Sequence, residues 1–218
     1  EYDFKILGNA FYANDNPRPD APLGGSSEPG IVMVSVDTNG NGVPDDEWYE
    51  MAGSEYYKKD TLKNYEITYY RPDENKEPVT CSNPNITDST YVRWTDNYGN
   101  TGYISQLTFH KQPYYPQWIS ESSITFKGSR LADNAIDESG NGSYYVLYAY
   151  DWGYADNHPN SSEKSNFKID WAVDSEGNPV DLPGVDFIKI YTGVNQFNGW
   201  LGECSTEVMG VTDLHIEE

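Results

Sequence analysis

The chain has 218 residues, with 14 Lys and Arg against 35 Asp and Glu, and a formal net charge of -21. This excess of acid argues against nucleic acid and anionic membrane surfaces as partners, because both would repel a polyanion. The length suits one large all-β domain or two small ones. No run approaches the roughly 20 apolar residues of a membrane helix.

Strand signals dominate the whole chain. Short β-branched and aromatic runs alternate with clusters of Gly, Asn, Asp and Pro, a pattern typical of all-β proteins. Because apolar residues alternate in several runs, we expect antiparallel sheets stacked as a jelly-roll-like β-sandwich, with long loops and little helix. We predict strands at Phe4–Leu7, Ile31–Val36, Glu47–Ala52, Tyr65–Tyr70, Tyr91–Trp94, Ser123–Lys127, Tyr144–Tyr150, Phe167–Val173, Phe187–Thr192 and Glu203–Val208.

The remaining segments are predicted to be connections. Asn14–Glu28 and Pro72–Ser89 are expected to form long surface loops, because turn-forming residues crowd them. Ser54–Asn64 and Leu131–Glu138 could each hold a short helical turn. No boundary stands out enough to split the chain, so we predict a single domain that covers residues 1–218.

The segment Asp37–Glu47 is the most informative motif. Oxygen-bearing side chains fall at alternate positions, and a glycine follows them, as in loops that surround calcium with oxygens. Strands are predicted on both sides, and Trp48 occupies the place of the bidentate Glu of a helical calcium loop. We therefore expect a static calcium loop between two strands rather than a calcium sensor. The expected ligands are Asp37, Asn39, Asn41, the carbonyl of Val43, Asp45, Asp46 and Glu47.

Alternatives to calcium remain open for this and a second segment. Asp37–Glu47 can also be an Asn-Gly-rich turn that carries acid for solubility. The stretch Asp133–Gly142 concentrates oxygens too, and its less regular spacing favours a turn over a cation site. The two cysteines, Cys81 and Cys204, lie far apart and show no metal-ligand spacing, so a disulfide is possible and two free thiols are favoured.

A second motif follows the predicted strand Tyr144–Tyr150. Loops on a rigid scaffold commonly carry binding residues, and this one combines aromatic, acidic and amide side chains with a histidine. The alternative is a packed structural corner, in which Asp151 and Asp156 could hold a second cation. The predicted ligand-binding residues are Trp152, Tyr154, Asp156, Asn157 and His158.

Four stretches carry a resemblance to a known family: Glu28–Asp37, Asn39–Glu50 with Ala52–Ser54, Tyr148–Asn157 and Asp186–Asn195. On these residues the chain resembles exported cell surface proteins of Bacteroides-type gut bacteria, often associated with PKD-like repeats. The resemblance implies a secreted protein, or one held on the bacterial outer surface by a lipid anchor on an N-terminal cysteine that lies outside this chain. It transfers no catalytic residues, and it suggests nutrient capture beside an outer-membrane transporter.

We therefore expect a non-catalytic, calcium-stabilised surface module that binds carbohydrate. The runner-up is a surface lipoprotein that captures another nutrient, such as a corrinoid, for an outer-membrane transporter. A structural or adhesive module is a third reading. An enzyme that cleaves glycans is a remote fourth, because the sequence carries no nucleophile elbow and no zinc-protease motif.

Overall fold

A computed structural model describes residues 1–13, 20–199 and 202–216. Its regular elements are strands and two 3-10 helices, Glu163–Ser165 and Ile169–Trp171. No helix among the described residues has the length and apolar character needed to cross a membrane. The strands are β1 (Phe4–Leu7), β2 (Phe11–Tyr12), β3 (Gly24–Ser26), β4 (Gly30–Ser35), β5 (Trp48–Met51), β6 (Leu62–Tyr70), β7 (Ile86–Asp96), β8 (Thr101–Leu107), β9 (Ser123–Arg130), β10 (Ala135–Asp137), β11 (Tyr145–Tyr148), β12 (Asn166–Phe167), β13 (Ala172–Val173), β14 (Phe187–Thr192) and β15 (Gly210–Asp213).

The predicted all-β, antiparallel class is confirmed, since the strand pairs of the described chain run antiparallel. The expected two-sheet sandwich is wrong, because the strands divide among four sheets. The strand orders in these sheets are β12-β1-β15, β10-β11-β3-β2, β13-β5-β4-β14 and β8-β7-β6-β9.

The chain divides into two compact units. The first consists of Glu1–Thr61, Leu131–Asn198 and Cys204–Glu218, and it contains three of the sheets. The second consists of Leu62–Arg130 with Gly199–Glu203, and it contains the sheet β8-β7-β6-β9. The expectation of a single domain stays a prediction.

The core of the first unit surrounds β4. Because β4 lies between β5 and β14 and is covered on both faces, its sequence is a continuous apolar run rather than an alternating one. Val32 and Val34 from this strand are fully buried against Phe4, Ile6 and Phe167. This core supplies a rigid base for the loops at the strand ends.

One edge of the sheet of the second unit is a hairpin. Strands β7 and β8 are joined by a turn in which the carboxylate of Asp96 accepts the amides of Tyr98 (3.0 Å) and Asn100 (2.7 Å). Gly99 has φ +85° there, a conformation that favours glycine. The hairpin fixes the register that pairs Arg93 with Tyr103 and Val92 with Ile104.

Several finer expectations were wrong. The predicted strand Phe167–Val173 is interrupted by the 3-10 helix Ile169–Trp171, and Glu203–Val208 contains no strand. Ser54–Thr61 forms turns rather than a helix, and β10 lies within the predicted helical stretch Leu131–Glu138. Part of the first predicted long loop, residues 14–19, lies outside the described residues. Cys81 and Cys204 form no disulfide bond, which agrees with the favoured expectation.

Candidate functional site

The loop after β4 gathers the oxygen-bearing side chains that the sequence indicated. Asp37 accepts the amides of Asn41 (3.1 Å) and Gly42 (2.8 Å). Asp45 accepts the side-chain amides of Asn39 and Asn41, both at 3.1 Å. Positive φ angles at Gly40 (+69°) and Gly42 (+72°) allow this tight path. The spacing therefore brings four expected ligands together on an exposed loop.

The other three expected ligands differ from one another. Asp46 accepts the hydroxyl of Thr38, and its Oδ2 is buried with no hydrogen-bond partner among the described residues. Such an oxygen is costly unless water or a cation satisfies it, so the loop fits a calcium ion. The carbonyl of Val43 already accepts the amide of Asp45 (2.8 Å), and Glu47 accepts the hydroxyl of Tyr49 (3.0 Å). Their ligation stays a prediction.

A second loop repeats this geometry. Asp137 accepts the amide of Gly142 at 2.7 Å, and Gly140 (φ +68°) and Gly142 (φ +81°) repeat the positive φ angles. The spacing of Asp137, Ser139 and Asn141 is regular when it is counted from Asp137, and a count that begins at Asp133 misses it. Tyr145 stands where the first loop has Asp45, so this loop lacks one acidic ligand and fits calcium less well.

A third acidic group was missed by sequence reasoning. Carboxylate oxygens of Glu28, Asp156 and Glu207 lie within 4.8 Å of one another and could hold a metal ion. Asp156 also has a structural role, because it accepts the amides of Asn9 (2.7 Å), Ala10 (2.8 Å) and Glu207 (3.0 Å). Burial raises the pKa of Asp156 despite these donors. The three acids come from distant segments, so no local motif marks them.

The predicted ligand-binding loop, residues 151–160, is largely buried. Tyr154 is 2% exposed and Asn157 is 0% exposed, and Asp156 and His158 are buried with them. Trp152 is half-buried against the ring of Trp171, with ring centroids 4.5 Å apart. Because four of the five side chains offer no open face, the geometry favours the structural corner over the ligand site.

The polar atoms of this corner bond to the chain itself. Asn157 accepts the amide of Tyr150 (2.9 Å) and donates to its carbonyl (2.8 Å). His158 donates from Nε2 to the carbonyl of Asp151 (3.0 Å), so its Nδ1 accepts the hydroxyl of Tyr12 (2.6 Å). Burial lowers the pKa of His158, so the folded state favours the neutral ring.

The suggested second cation site in this corner has less support. The carboxylate of Asp151 forms an ion pair with Lys164, and this contact lowers the pKa of Asp151. A side-chain cation therefore already neutralises that acid. The remaining acid, Asp156, belongs to the group with Glu28 and Glu207.

An open cleft of about 340 Å³ lies on the sheet of the second unit. This volume falls at the lower end of the range of small-molecule sites. Residues directly paired across neighbouring strands share a face of the sheet, which places Arg93 of β7 beside Tyr103 of β8. The lining residues are Tyr70, Arg71, Pro72, Asp73, Lys76, Thr90, Tyr91, Arg93 and Tyr103.

The tyrosines of the cleft differ in exposure. Tyr103 is 49% exposed, and its hydroxyl has no partner among the described residues. Tyr70 donates to or accepts from the hydroxyl of Thr95 (3.0 Å). Tyr91 is buried and donates to the carboxylate of Glu74, and burial together with this acid raises its pKa to about 12. The cleft thus presents aromatic faces on a fixed frame.

The charged side chains of the cleft are mostly held in place. Lys76 donates to Thr90 and forms an ion pair with Asp88 at 2.7 Å. Burial raises the pKa of Asp88, but Lys76 and the nearby amide donors outweigh it and bring that pKa below its usual value. Arg71 stacks on Tyr115 and donates to the carbonyl of Glu121 (3.3 Å). Chemically, the cleft can contact a flat apolar face and a polar or anionic group at once.

No protein-family model matches the chain, and the search of curated proteins finds no match. Sequence reasoning missed the cleft, although one signal was present: Tyr91 and Arg93 alternate within a predicted strand and so share a face.

Proposed function

We propose that this protein is a non-catalytic, calcium-stabilised binding module, and that it binds carbohydrate in the cleft of the second unit. The observation that carries this proposal is the open cleft with the exposed ring of Tyr103 beside Tyr70 and Arg93. Tyrosine offers an apolar face together with a hydroxyl, a combination that suits sugar rings. The sequence-based assignment of the ligand to the corner at Trp152–His158 moves to this cleft.

The acids of the cleft favour binding over cleavage. Hydrolysis of a glycoside ordinarily needs two carboxyl groups that face the scissile bond. Among the nine lining residues Asp73 is the single acid. Glu74 and Asp88, which lie behind the lining, are bonded to Tyr91 and Lys76.

The calcium part of the proposal rests on the loop Asp37–Asp46. Four predicted ligands gather there, and Asp46 adds a buried oxygen without a hydrogen-bond partner. The loop joins β4 to β5, so a bound ion would stabilise the connection between two neighbouring strands of the first unit. Calcium is proposed as a structural ion rather than as a contact to the ligand.

The location of the protein is proposed from the family resemblance alone. An exported protein, secreted or lipid-anchored on a bacterial outer surface, would meet polysaccharides and could pass them to an outer-membrane transporter. Capture of a larger nutrient such as a corrinoid, or a purely adhesive role, would be separate outcomes of a binding screen.

The test is a screen of soluble polysaccharides, and of a corrinoid, with the full chain and two tyrosine variants. Tyr103→Ala removes the exposed ring of the cleft and should weaken glycan binding roughly tenfold or more, about 1.4 kcal/mol or more. Tyr98→Ala is the matched control, because Tyr98 lies in the same unit, outside the cleft, and is 54% exposed. Glycan binding that Tyr103→Ala leaves unchanged, or binding of the corrinoid alone, would overturn the proposal.

A further inference from the structure

The cations of the chain are unevenly distributed. The second unit holds seven of the 14 Lys and Arg, against eight Asp and Glu, for a net charge of -1. The first unit holds the other seven cations against 27 acids, for a net charge of -20. Three cations, Arg71, Lys76 and Arg93, line the cleft together with the single acid Asp73. Cations therefore outnumber acids among the residues that line the cleft, the opposite of the balance in the chain as a whole, and this favours contact with an anion.

Arg93 is the cation available for direct contact. Its guanidinium lies 4.7 Å from the centre of the Tyr70 ring. Its backbone is paired with Tyr103 in the sheet, but among the described residues its guanidinium forms no hydrogen bond or ion pair, and the side chain is exposed. Stacking occupies one face of a guanidinium and leaves the N–H groups at its edge free to donate. Arg93 is thus oriented by the protein while its donors remain unused.

The other two cations have a supporting role. Lys76 is paired with Asp88 at 2.7 Å, and Arg71 donates to backbone carbonyls. Lys76 adds little net charge because Asp88 neutralises it, whereas Arg71 adds positive potential to the cleft. The charged groups around Arg93 therefore comprise two held cations, the exposed acid Asp73, and two acids that already have partners, Glu74 and Asp88.

We infer that the cleft selects acidic glycans, in which a carboxylate or sulfate group accepts hydrogen bonds from the guanidinium of Arg93 while a sugar ring packs on Tyr103. This inference rests on the proposed carbohydrate binding and names its ligand class. An arginine fork pairs well with a planar carboxylate or with sulfate oxygens, and a charge-assisted hydrogen bond is stronger than a neutral one. Arg93 would then determine specificity rather than the general capacity to bind sugar.

The experiment titrates the full chain with charged and neutral versions of the same polymer. Polygalacturonate is compared with its fully methyl-esterified form, and dextran sulfate is compared with dextran. We expect at least one acidic polymer to bind roughly tenfold or more tightly than its neutral partner. The two pairs also distinguish a carboxylate ligand from a sulfate ligand.

Two variants locate the effect. Arg93→Gln should abolish the preference for the acidic polymer. The variant should still bind the neutral version of that polymer, with the weaker affinity that the parent chain has for it. Lys127→Gln removes the same charge from the same unit outside the cleft, at an exposed ion pair with Glu66, and should keep the preference. Thermal unfolding of both variants should match the parent chain, since both sites are exposed.

The outcomes separate the two claims. Equal binding of acidic and neutral polymers by the parent chain, or a preference that survives Arg93→Gln, would refute the acidic ligand and leave carbohydrate binding intact. Failure of all four polymers to bind would refute the acidic ligand. The polysaccharide screen with Tyr103→Ala would then decide whether the cleft binds carbohydrate.

Discussion

Two regions of this molecule contain similar residue types, but one region is a buried corner and the other is an exposed cleft. The corner at Trp152–His158 in the first unit and the cleft in the second unit both combine aromatic rings with polar side chains. In the corner Tyr154 is 2% exposed and the amide of Asn157 bonds to Tyr150. In the cleft Tyr103 is 49% exposed and Arg93 keeps its donors free. Burial and hydrogen bonding, rather than residue type, separate structural groups from groups available to a ligand.

The same contrast extends to charge. The first unit carries a net charge of -20, and the oxygen-rich loops at Asp37 and Asp137 belong to it. The second unit carries a net charge of -1, and its cleft exposes an arginine. Excess acid suits the binding of cations, whereas a nearly neutral unit can accept an anionic ligand. Nearly all of the overall charge of -21 therefore belongs to the first unit.

The largest expected effect is on the buried corner. Tyr154→Ala should lower the free energy of unfolding by about 3–5 kcal/mol, the usual cost of removing a buried aromatic side chain. The amide of Glu55 also loses its acceptor, since it donates to the Tyr154 hydroxyl at 3.0 Å. Urea denaturation measures the loss. Tyr57→Ala is the control, because Tyr57 is exposed; equal effects of the two changes would contradict a structural corner.

Calcium removal should have the next largest effect. At free calcium about 100 times the dissociation constant, binding to the folded state alone adds about 2.7 kcal/mol. Chelation should therefore lower the melting temperature, and added calcium should restore it.

Asp37→Asn should remove most of this calcium dependence, because it takes one charge from the proposed ligands. Asp60→Asn removes an equal charge from an exposed position of the same unit and should preserve it. A melting temperature that is indifferent to both chelation and calcium would refute a structural ion.

A smaller effect is expected from pH. Burial lowers the pKa of His158, so the folded state favours the neutral ring. Its contribution to stability is present above the ordinary histidine pKa of about 6.5 and is lost as the pH falls through the lower folded value. The raised pKa of Asp156 acts in the opposite sense, because that carboxyl favours its protonated form in the fold.

The contribution of His158 can be measured from the dependence of the free energy of unfolding on pH in the parent chain and in variants. Between about pH 7 and about pH 5 the parent chain should lose more stability than His158→Gln does. His215→Gln, at an exposed position, should follow the parent chain. If stability changes with pH equally in the parent chain and in His158→Gln, then His158 does not contribute to the pH dependence.

The sequence predicted much of the fold where patterns are local. The predicted bounds of Phe4–Leu7 and Phe187–Thr192 agree with β1 and β14 at both ends, because their apolar residues alternate or pair within the strand. Phe167–Val173 alternates as clearly, but its chain turns into a 3-10 helix. There Ile169 donates to the carboxylate of Asp3 at 2.6 Å, a contact from the other end of the chain that no local pattern reveals.

Prediction of the sites was likewise limited to residues that lie close together in the sequence. The oxygen-rich loop could be predicted because all the expected ligands lie within one short segment, Asp37–Glu47. The cleft was missed because it combines side chains from β6, from the segment that follows β6, from β7 and from β8, and β8 itself was not predicted. Thr101–Leu107 has only weak apolar alternation, and its pairing with β7 is what makes it a strand.

The central claim is that the ligand contacts the cleft rather than the corner. Isothermal titration of the best-binding glycan into the parent chain, Tyr103→Ala and Trp152→Ala tests it most directly, since Trp152 is the half-exposed ring of the corner. We predict that Tyr103→Ala loses roughly tenfold or more in affinity, while Trp152→Ala binds as the parent chain does. Loss of binding in Trp152→Ala with an unchanged affinity in Tyr103→Ala would contradict the claim.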